Sequence, residues 1–275
     1  MAVAPAPARD PLRLPADSEA YAPEFPQNLQ WVNVAFLRMA QQIGRPILVE
    51  FFDVARINSR RTLPYVLAWN ERYGPKGLRV IGVHSPGYSF ARDPEVALPA
   101  IEAMGIPYAV VLDPDFLVWR EYGNRGWPAR FLFDRRGVLR FVHWGEGEYD
   151  QTEQVIHELL AETDPEGELE LPEPLEPLRP EDEPGAEMDP QTADVALPAE
   201  RERVELSGEW AEGEDWLEAR EAGASATVRF RAGEAYAVLS GSVEPSLYET
   251  DGTVVAQGPG LRLHGFQFTP LPPGG

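Results

Sequence analysis

Apolar residues recur along this chain at two different periods, and the change of period divides it. Positions 46–52 hold an apolar run, Ile47-Leu48-Val49 and Phe51-Phe52, interrupted by one carboxylate, Glu50. Such a run predicts a strand buried on both faces. From 57 to 73, Leu63, Val66, Leu67, Asn70 and Tyr73 fall at three- and four-residue spacing, which predicts a helix starting near Arg56 and kinked at Pro64. A second buried strand is expected at 78–84, a helix at 93–104, a strand at 108–112, and a strand pair at 129–133 and 139–143 around Arg135-Arg136-Gly137. An amphipathic helix at 151–161 closes the pattern. Alternating strands and helices that end in a hairpin and a helix predict an α/β domain with a mixed sheet.

The periodicity stops after 161. Positions 161–200 carry fourteen acids against the single base Arg179, with eight prolines, which predicts an extended, self-repelling linker. Short β-like runs follow at 203–206, 216–219, 226–232, 235–239, 246–249, 254–256 and 261–269, separated by glycine-rich turns, with Asp251-Gly252 as a hairpin signal. The expected organisation is an N-terminal extension at 1–30, an α/β domain at 31–161, a linker at 162–200 and a small β-sandwich, jelly-roll-like, at 201–275.

The segment FFDVARINSRRTLPYV at 51–66 has the surroundings of a dithiol motif. It resembles the thioredoxin-like domains of the redoxin group, in particular those of DipZ-type proteins and of NHL-repeat proteins, where the stretch reads approximately F-W-T-Y-x-C-I-N-C-x-R-T-L-P-Y. Here Arg56 and Ser59 stand at the two cysteine positions, while Ile57, Asn58, Arg61, Thr62, Leu63, Pro64 and Tyr65 match. VIGVHSP at 80–86, GIPYAVVLD at 105–113 and WREYGNRGWPARFLFD at 119–134 follow in order. The resemblance covers 31–161 and implies a three-layer α/β/α thioredoxin-like fold. It further implies a cis Trp127-Pro128 bond facing Arg56 and Ser59, and a buried carboxylate, Glu50, that in relatives serves as proton acceptor. DipZ-type proteins also carry a β-sandwich resembling carbohydrate-binding modules, to which LSGEW at 206–210 and VRFRAGEAYAVL at 228–239 are loosely similar.

The chain contains no cysteine. Disulfide exchange needs an attacking thiolate and a resolving thiol, and a serine hydroxyl replaces neither; peroxide chemistry fails for the same reason. Ser59 as a hydrolytic nucleophile would need a base, and of His84, His143, His157 and His264 only His84 follows a strand of the same sheet. A helix-capping hydroxyl is the simpler reading. The four histidines lack ligand spacing, so neither a metal nor another cofactor is expected. Arg56 puts a guanidinium at a helix N-terminus, where the macrodipole favours anions. Two readings stay open: contact with an anion or peptide carboxylate, or an ion pair with Glu50 or Asp53. Trp127 has two as well, a packing aromatic or a residue whose backbone receives an extended peptide.

With 275 residues and net charge −21, the chain has no basic patch for nucleic acid and no apolar run long enough to span a membrane. Its first 26 residues lack the basic and apolar regions of a signal peptide, so a cytoplasmic location is expected. Trp210, Trp216, Tyr236 and Tyr248 are the aromatics available for a sugar platform, although aromatics at β spacing more often fill cores. The expectation is a redox-inactive thioredoxin-like protein without catalytic residues, binding a protein or extended peptide in a groove of Arg56, Asn58, Ser59, Trp127 and Pro128. The alternatives are a redox role through a partner's cysteines and carbohydrate binding by the β module.

Overall fold

The computed structural model describes residues 11–273. The first ten residues of the expected extension, and with them part of the segment read against a signal peptide, lie outside this range. In chain order the α/β part contains β1 (Leu12–Arg13), β2 (Trp31–Val32), β3 (Ile47–Phe52), α1 (Ile57–Tyr73), β4 (Arg79–His84), α2 (Pro94–Ala103), β5 (Ala109–Leu112), α3 (Leu117–Glu121), β6 (Ala129–Phe133), β7 (Leu139–Trp144) and α4 (Tyr149–Ala161). The strands form one sheet in the order β1-β7-β6-β3-β4-β5-β2. The β3-β4 and β4-β5 pairs are parallel and the remaining pairs antiparallel.

Every residue of β3 is buried, and period-two alternation sends its side chains to two cores. Leu48 and Phe52 join residues of α1, α2 and α4 on one face. Ile47, Val49 and Phe51 join Val118, Trp119 and Tyr122 from around α3, together with Phe25, on the other. The helices α1 and α2 share a face because β3, β4 and β5 advance in one direction across the sheet and right-handed crossovers place both connections on the same side. Helix α1 is continuous through Pro64, which lies on its exposed side. The edge strands β1, within the expected extension, and β2, at the first two positions of the expected domain, are additions to the pattern read from the sequence, because two residues are too few to show a period.

The acidic stretch departs from the extended, self-repelling linker expected of it. It has little regular structure, yet Leu169, Leu171 and Leu175 pack on the core containing α1 and α4. Its charge is met locally. Arg61 bonds Glu146 and Glu181, each at 2.8 Å, and Arg179 bonds Asp182 at 2.8 Å. Tyr65 joins in, its hydroxyl donating to Asp182 (2.8 Å) and accepting from the Leu178 N–H (2.7 Å). Arg61 on the folded unit and Arg179 within the stretch thus offset part of its repulsion.

The remaining strands are β8 (Val195–Ala196), β9 (Val204–Ser207), β10 (Trp210–Glu212), β11 (Leu217–Ala219), β12 (Ser225–Val228), β13 (Ala235–Gly241), β14 (Ser246–Thr250), β15 (Thr253–Val255) and β16 (Leu261–Phe268). One antiparallel sheet runs β10-β11-β16-β13-β14, with β8 also on β16; a second runs β15-β12-β9. They enclose one apolar core. Asp251-Gly252 does not close the hairpin its composition suggested. The strand before it pairs with β13 and the strand after it with β12, so this turn carries the chain from one sheet to the other.

In β16 the alternation slips by one residue. Leu261 and Leu263 face the core, then Phe266 and Phe268 do. Pairing shows the cause: Leu239 sits opposite Leu263 but Val238 opposite Gly265, so His264 is the extra residue of a β-bulge. Gly265 also tolerates close approach of β8, since a Cβ there would lie 2.1 Å from the Val195 carbonyl oxygen. A Gly265→Ala variant is expected to lose about 2 kcal/mol or more through this overlap, measured as a lower midpoint in urea unfolding; an unchanged midpoint would refute the clash.

Candidate functional site

The first turn of α1 carries N–H groups that have no partner inside the helix. Arg56, at its N-cap, provides no side-chain cap. The cap comes from 210 residues away, where the Gln267 Oε1 accepts from the Ile57 N–H at 2.7 Å. The Gln267 Nε2 donates to the Ala55 carbonyl and to the Tyr88 hydroxyl, both at 2.9 Å. Around this side chain Ala55, Ile57 and Tyr88 of the α/β unit form an apolar cluster with Val238 and Leu247 of the β unit. The bulge permits it: by shifting the phase of β16 it turns Gln267 outward while Phe266 and Phe268 stay in the sandwich core.

Arg56, between two residues that meet the β unit, is 5% exposed, and Ser59 is 2% exposed. The Arg56 guanidinium is held between two rings, 4.6 Å from the Trp127 centroid and 5.1 Å from that of Tyr88. Its Nε is 3.9 Å from Asp53 Oδ2. Of the two carboxylates considered as partners, Asp53 is the one beside it. The anion site anticipated at this helix N-terminus is not built: Gln267 fills it. Asp53 fixes the loop below, accepting from the Ala55 N–H (3.0 Å) and the Gly87 N–H (2.8 Å).

Ser59 accepts from the Asp53 N–H at 3.2 Å. His84 places its Nε2 on the Ala91 carbonyl at 3.2 Å, and its burial, only partly opposed by Asp53, lowers its basicity. These two residues are not brought together as nucleophile and base. The Trp127–Pro128 peptide is cis, and the Trp127 indole donates to the Ser85 carbonyl at 2.8 Å. Trp127 is 1% exposed, so its side chain is closed to an external ligand. Asn58, half-buried, borders a cavity of about 630 Å³ whose walls include Glu146, Glu148, Glu181 and Asp194. Such a wall repels an anionic ligand. Burial raises the Asp194 carboxyl to about 6 despite the nearby Arg56 charge.

Glu50 projects from the face of β3 that also bears Leu48 and Phe52, opposite Arg130 on β6. Its Oε2 accepts from the Tyr108 hydroxyl at 3.1 Å, while Oε1 has no hydrogen-bond partner. Burial drives its pKa up to about 8, with Tyr108 and Arg130 opposing. A protonated carboxyl is the form that suits such a half-satisfied environment. With no thiol in the chain, Glu50 has no cysteine to serve.

The sugar-platform aromatics are dispersed. Trp210 packs on the sandwich core and Tyr236 on the cluster between the units. The Trp216 ring lies under the Arg262 guanidinium at 4.7 Å, and Tyr248 hydrogen-bonds the Glu244 carbonyl at 2.8 Å. Among the described residues no group of three or more His, Cys, Asp or Glu is placed to hold a metal, and no helix is long and apolar enough to cross a membrane. Sequence reasoning missed Gln267 and Tyr88; the out-of-phase LRLHGFQF at 261–268 is the signal that could have revealed the bulge.

A mixed sheet flanked by helices, a cis-proline beside the start of the first long helix and a buried carboxylate on the central strand define a thioredoxin-like fold. Sequence comparison agrees. The chain is 36% identical over 149 residues to the protein DipZ of Mycobacterium tuberculosis, a match covering 54% of this chain and 21% of the relative. It is 29% identical over 138 residues to NHL repeat-containing protein 2 of Homo sapiens, covering 49% and 19%. With the thiol-disulfide oxidoreductase YkuV of Bacillus subtilis it shares 27% over 143 residues, covering 52% and 95%. The match to DipZ thus spans about a fifth of that relative's length. Among solved structures, a protein described as a thiol:disulfide interchange protein DsbE from Chlorobium tepidum aligns with a TM-score of 0.47 at 23% identity, over 52% of this chain and 98% of that one. No protein-family model matches the chain.

The sign of the Glu50 effect follows from linkage. The folded state holds the Glu50 proton to about pH 8, whereas the unfolded chain releases it near the ordinary value of 4.5. The unfolded state therefore binds fewer protons between these values, and stability falls as pH rises through that window. A Glu50→Gln variant is expected to remove this slope, its stability relative to wild type improving by roughly 3 kcal/mol between pH 5 and pH 8 in urea titrations. Parallel pH profiles would show that Glu50 ionises normally.

Proposed function

We propose that this chain is a redox-inactive thioredoxin-like scaffold in which the former dithiol pocket serves as the socket for its own C-terminal β unit. The observation that carries this reading is Gln267, whose side-chain amide bonds the Ile57 N–H and the Ala55 carbonyl. One amide pairing with a backbone donor and a backbone acceptor imitates what an added peptide strand does. The expected groove of Arg56, Asn58, Ser59, Trp127 and Pro128 is thus used in cis, and partner proteins meet the composite surface of the two units. The absence of cysteine supports a binding role for this pocket over thiol catalysis. A redox role through a partner's thiols gains no support from a pocket whose two former cysteine positions are covered.

Restoring the thiols tests this. In an Arg56→Cys/Ser59→Cys variant, insulin reduction is expected to stay near the buffer rate, and Ellman's reagent to react with the native thiols at least tenfold more slowly than with the unfolded ones. Adding Gln267→Ala and Val238→Asp, which remove the cap and disrupt the apolar cluster, should raise both rates about tenfold or more. Full reactivity of the double variant alone would mean that the pocket is open in solution and the proposal fails.

A further inference from the structure

A second constellation lies in the β unit, outside the former dithiol pocket. Ser240 and His264 stand on the neighbouring strands β13 and β16, and the Ser240 Oγ is 2.7 Å from His264 Nε2. His264 Nδ1 in turn lies 3.4 Å from Asp215 Oδ1, in the turn between β10 and β11. His264 is the extra residue of the bulge, and bulges beside functional sites re-aim a side chain. Asp215 is itself oriented from the α/β unit: the Ser89 N–H donates to its Oδ2 and the Ser89 hydroxyl to its Oδ1, both at 2.7 Å. Burial opposes ionisation of Asp215, but bonding to His264 and Ser89 prevails and holds its carboxyl below the usual range.

The order hydroxyl, imidazole, carboxylate is that of a nucleophilic triad, recognised by geometry and not by sequence position. With Asp215 ionised, the tautomer that suits it carries its proton on Nδ1, leaving Nε2 to accept from Ser240. At 3.4 Å the Nδ1–Asp215 contact is an approach without a formed hydrogen bond, and catalytic bonds of this kind often tighten only when substrate binds. The rings of Phe90, Tyr88 and Trp216 surround the imidazole at 4.8, 5.6 and 5.8 Å between centroids. Ser240 and His264 line a cavity of about 270 Å³ together with Ser89, Phe90, Trp216 and Arg262. That space suits a short, uncharged acyl group: the Arg262 charge at its wall is paired with Glu218 at 2.8 Å, and Asp93 also lines it.

We propose that Ser240, His264 and Asp215 form an acyl-hydrolase site for short-chain esters. The Ser240 oxygen adds to the ester carbonyl as its proton passes to His264 Nε2. The C–O bond to the alcohol then breaks, the alcohol leaving with that proton, and an acyl-Ser240 remains. Water deprotonated by His264 attacks the acyl carbon, releasing the carboxylic acid and returning the proton to Ser240. Asp215 is the positioning residue for the imidazole.

The full chain, treated with a fluorophosphonate probe and mapped by mass spectrometry, is expected to carry the adduct on Ser240. Turnover of p-nitrophenyl acetate is expected to fall at least hundredfold in Ser240→Ala, assayed below its unfolding transition so that the loss is not one of folding. Because the chain lacks cysteine, Ser240→Cys introduces a unique thiol. If His264 activates it, iodoacetamide alkylation changes less than tenfold from pH 8.5 to pH 6, where an ordinary thiol slows by about two orders of magnitude. Absence of the Ser240 adduct, equal turnover by wild type and Ser240→Ala, or an ordinary thiol profile overturns the proposal and leaves the three residues as a clamp between the units.

Discussion

The side chain of Gln267 joins three groups that would otherwise be buried without partners: the Ile57 N–H, the Ala55 carbonyl and the Tyr88 hydroxyl. A buried amide left without its bonds costs on the order of 1–3 kcal/mol, so the seating of the β unit and the closure of the α1 N-terminus depend on one another. Apolar contact alone would hold Val238 and Leu247 against Ile57 in many orientations. The fixed geometry of an amide that accepts on one side and donates on the other selects one.

The same constraint explains how Arg56 is accommodated. A guanidinium at a helix N-terminus is opposed by the macrodipole, and a buried one needs compensation. Two aromatic faces and the neighbouring Asp53 supply it. Tyr88 serves both arrangements, its ring against Arg56 and its hydroxyl accepting from Gln267. The retired active site is therefore packed as an interior: a cation, two rings and an amide occupy the place where a dithiol would face solvent.

Much of the α/β architecture was legible because local and global signals coincide there. The apolar run of β3, the spacing of Leu63, Val66 and Tyr73 in α1 and the turn before β7 each encode their element within a dozen residues. The β runs of the second unit were legible as strands but not as partners; Asp251-Gly252 looks the same whether it closes a hairpin or changes sheets. The order of the acidic stretch was hidden because it depends on Arg61, Tyr65 and the surface of α1. Gln267 was hidden for a similar reason, since nothing local distinguishes a glutamine that faces solvent from one that meets a helix 210 residues earlier. Ser240, His264 and Asp215 likewise become neighbours only through the strand order β10-β11-β16-β13 of one sheet.

Tethering gives the covered pocket a competitive property. The acidic stretch that connects the two units is itself fastened through Arg61, Tyr65 and its leucines, so the β unit, if it lifts, stays within a small volume of its socket. A tethered ligand of this kind acts at an effective concentration of about millimolar or above. A free peptide of modest affinity present at micromolar levels would be outcompeted by the chain's own glutamine, and occupancy of this site from outside becomes a question of mass action before it is one of shape.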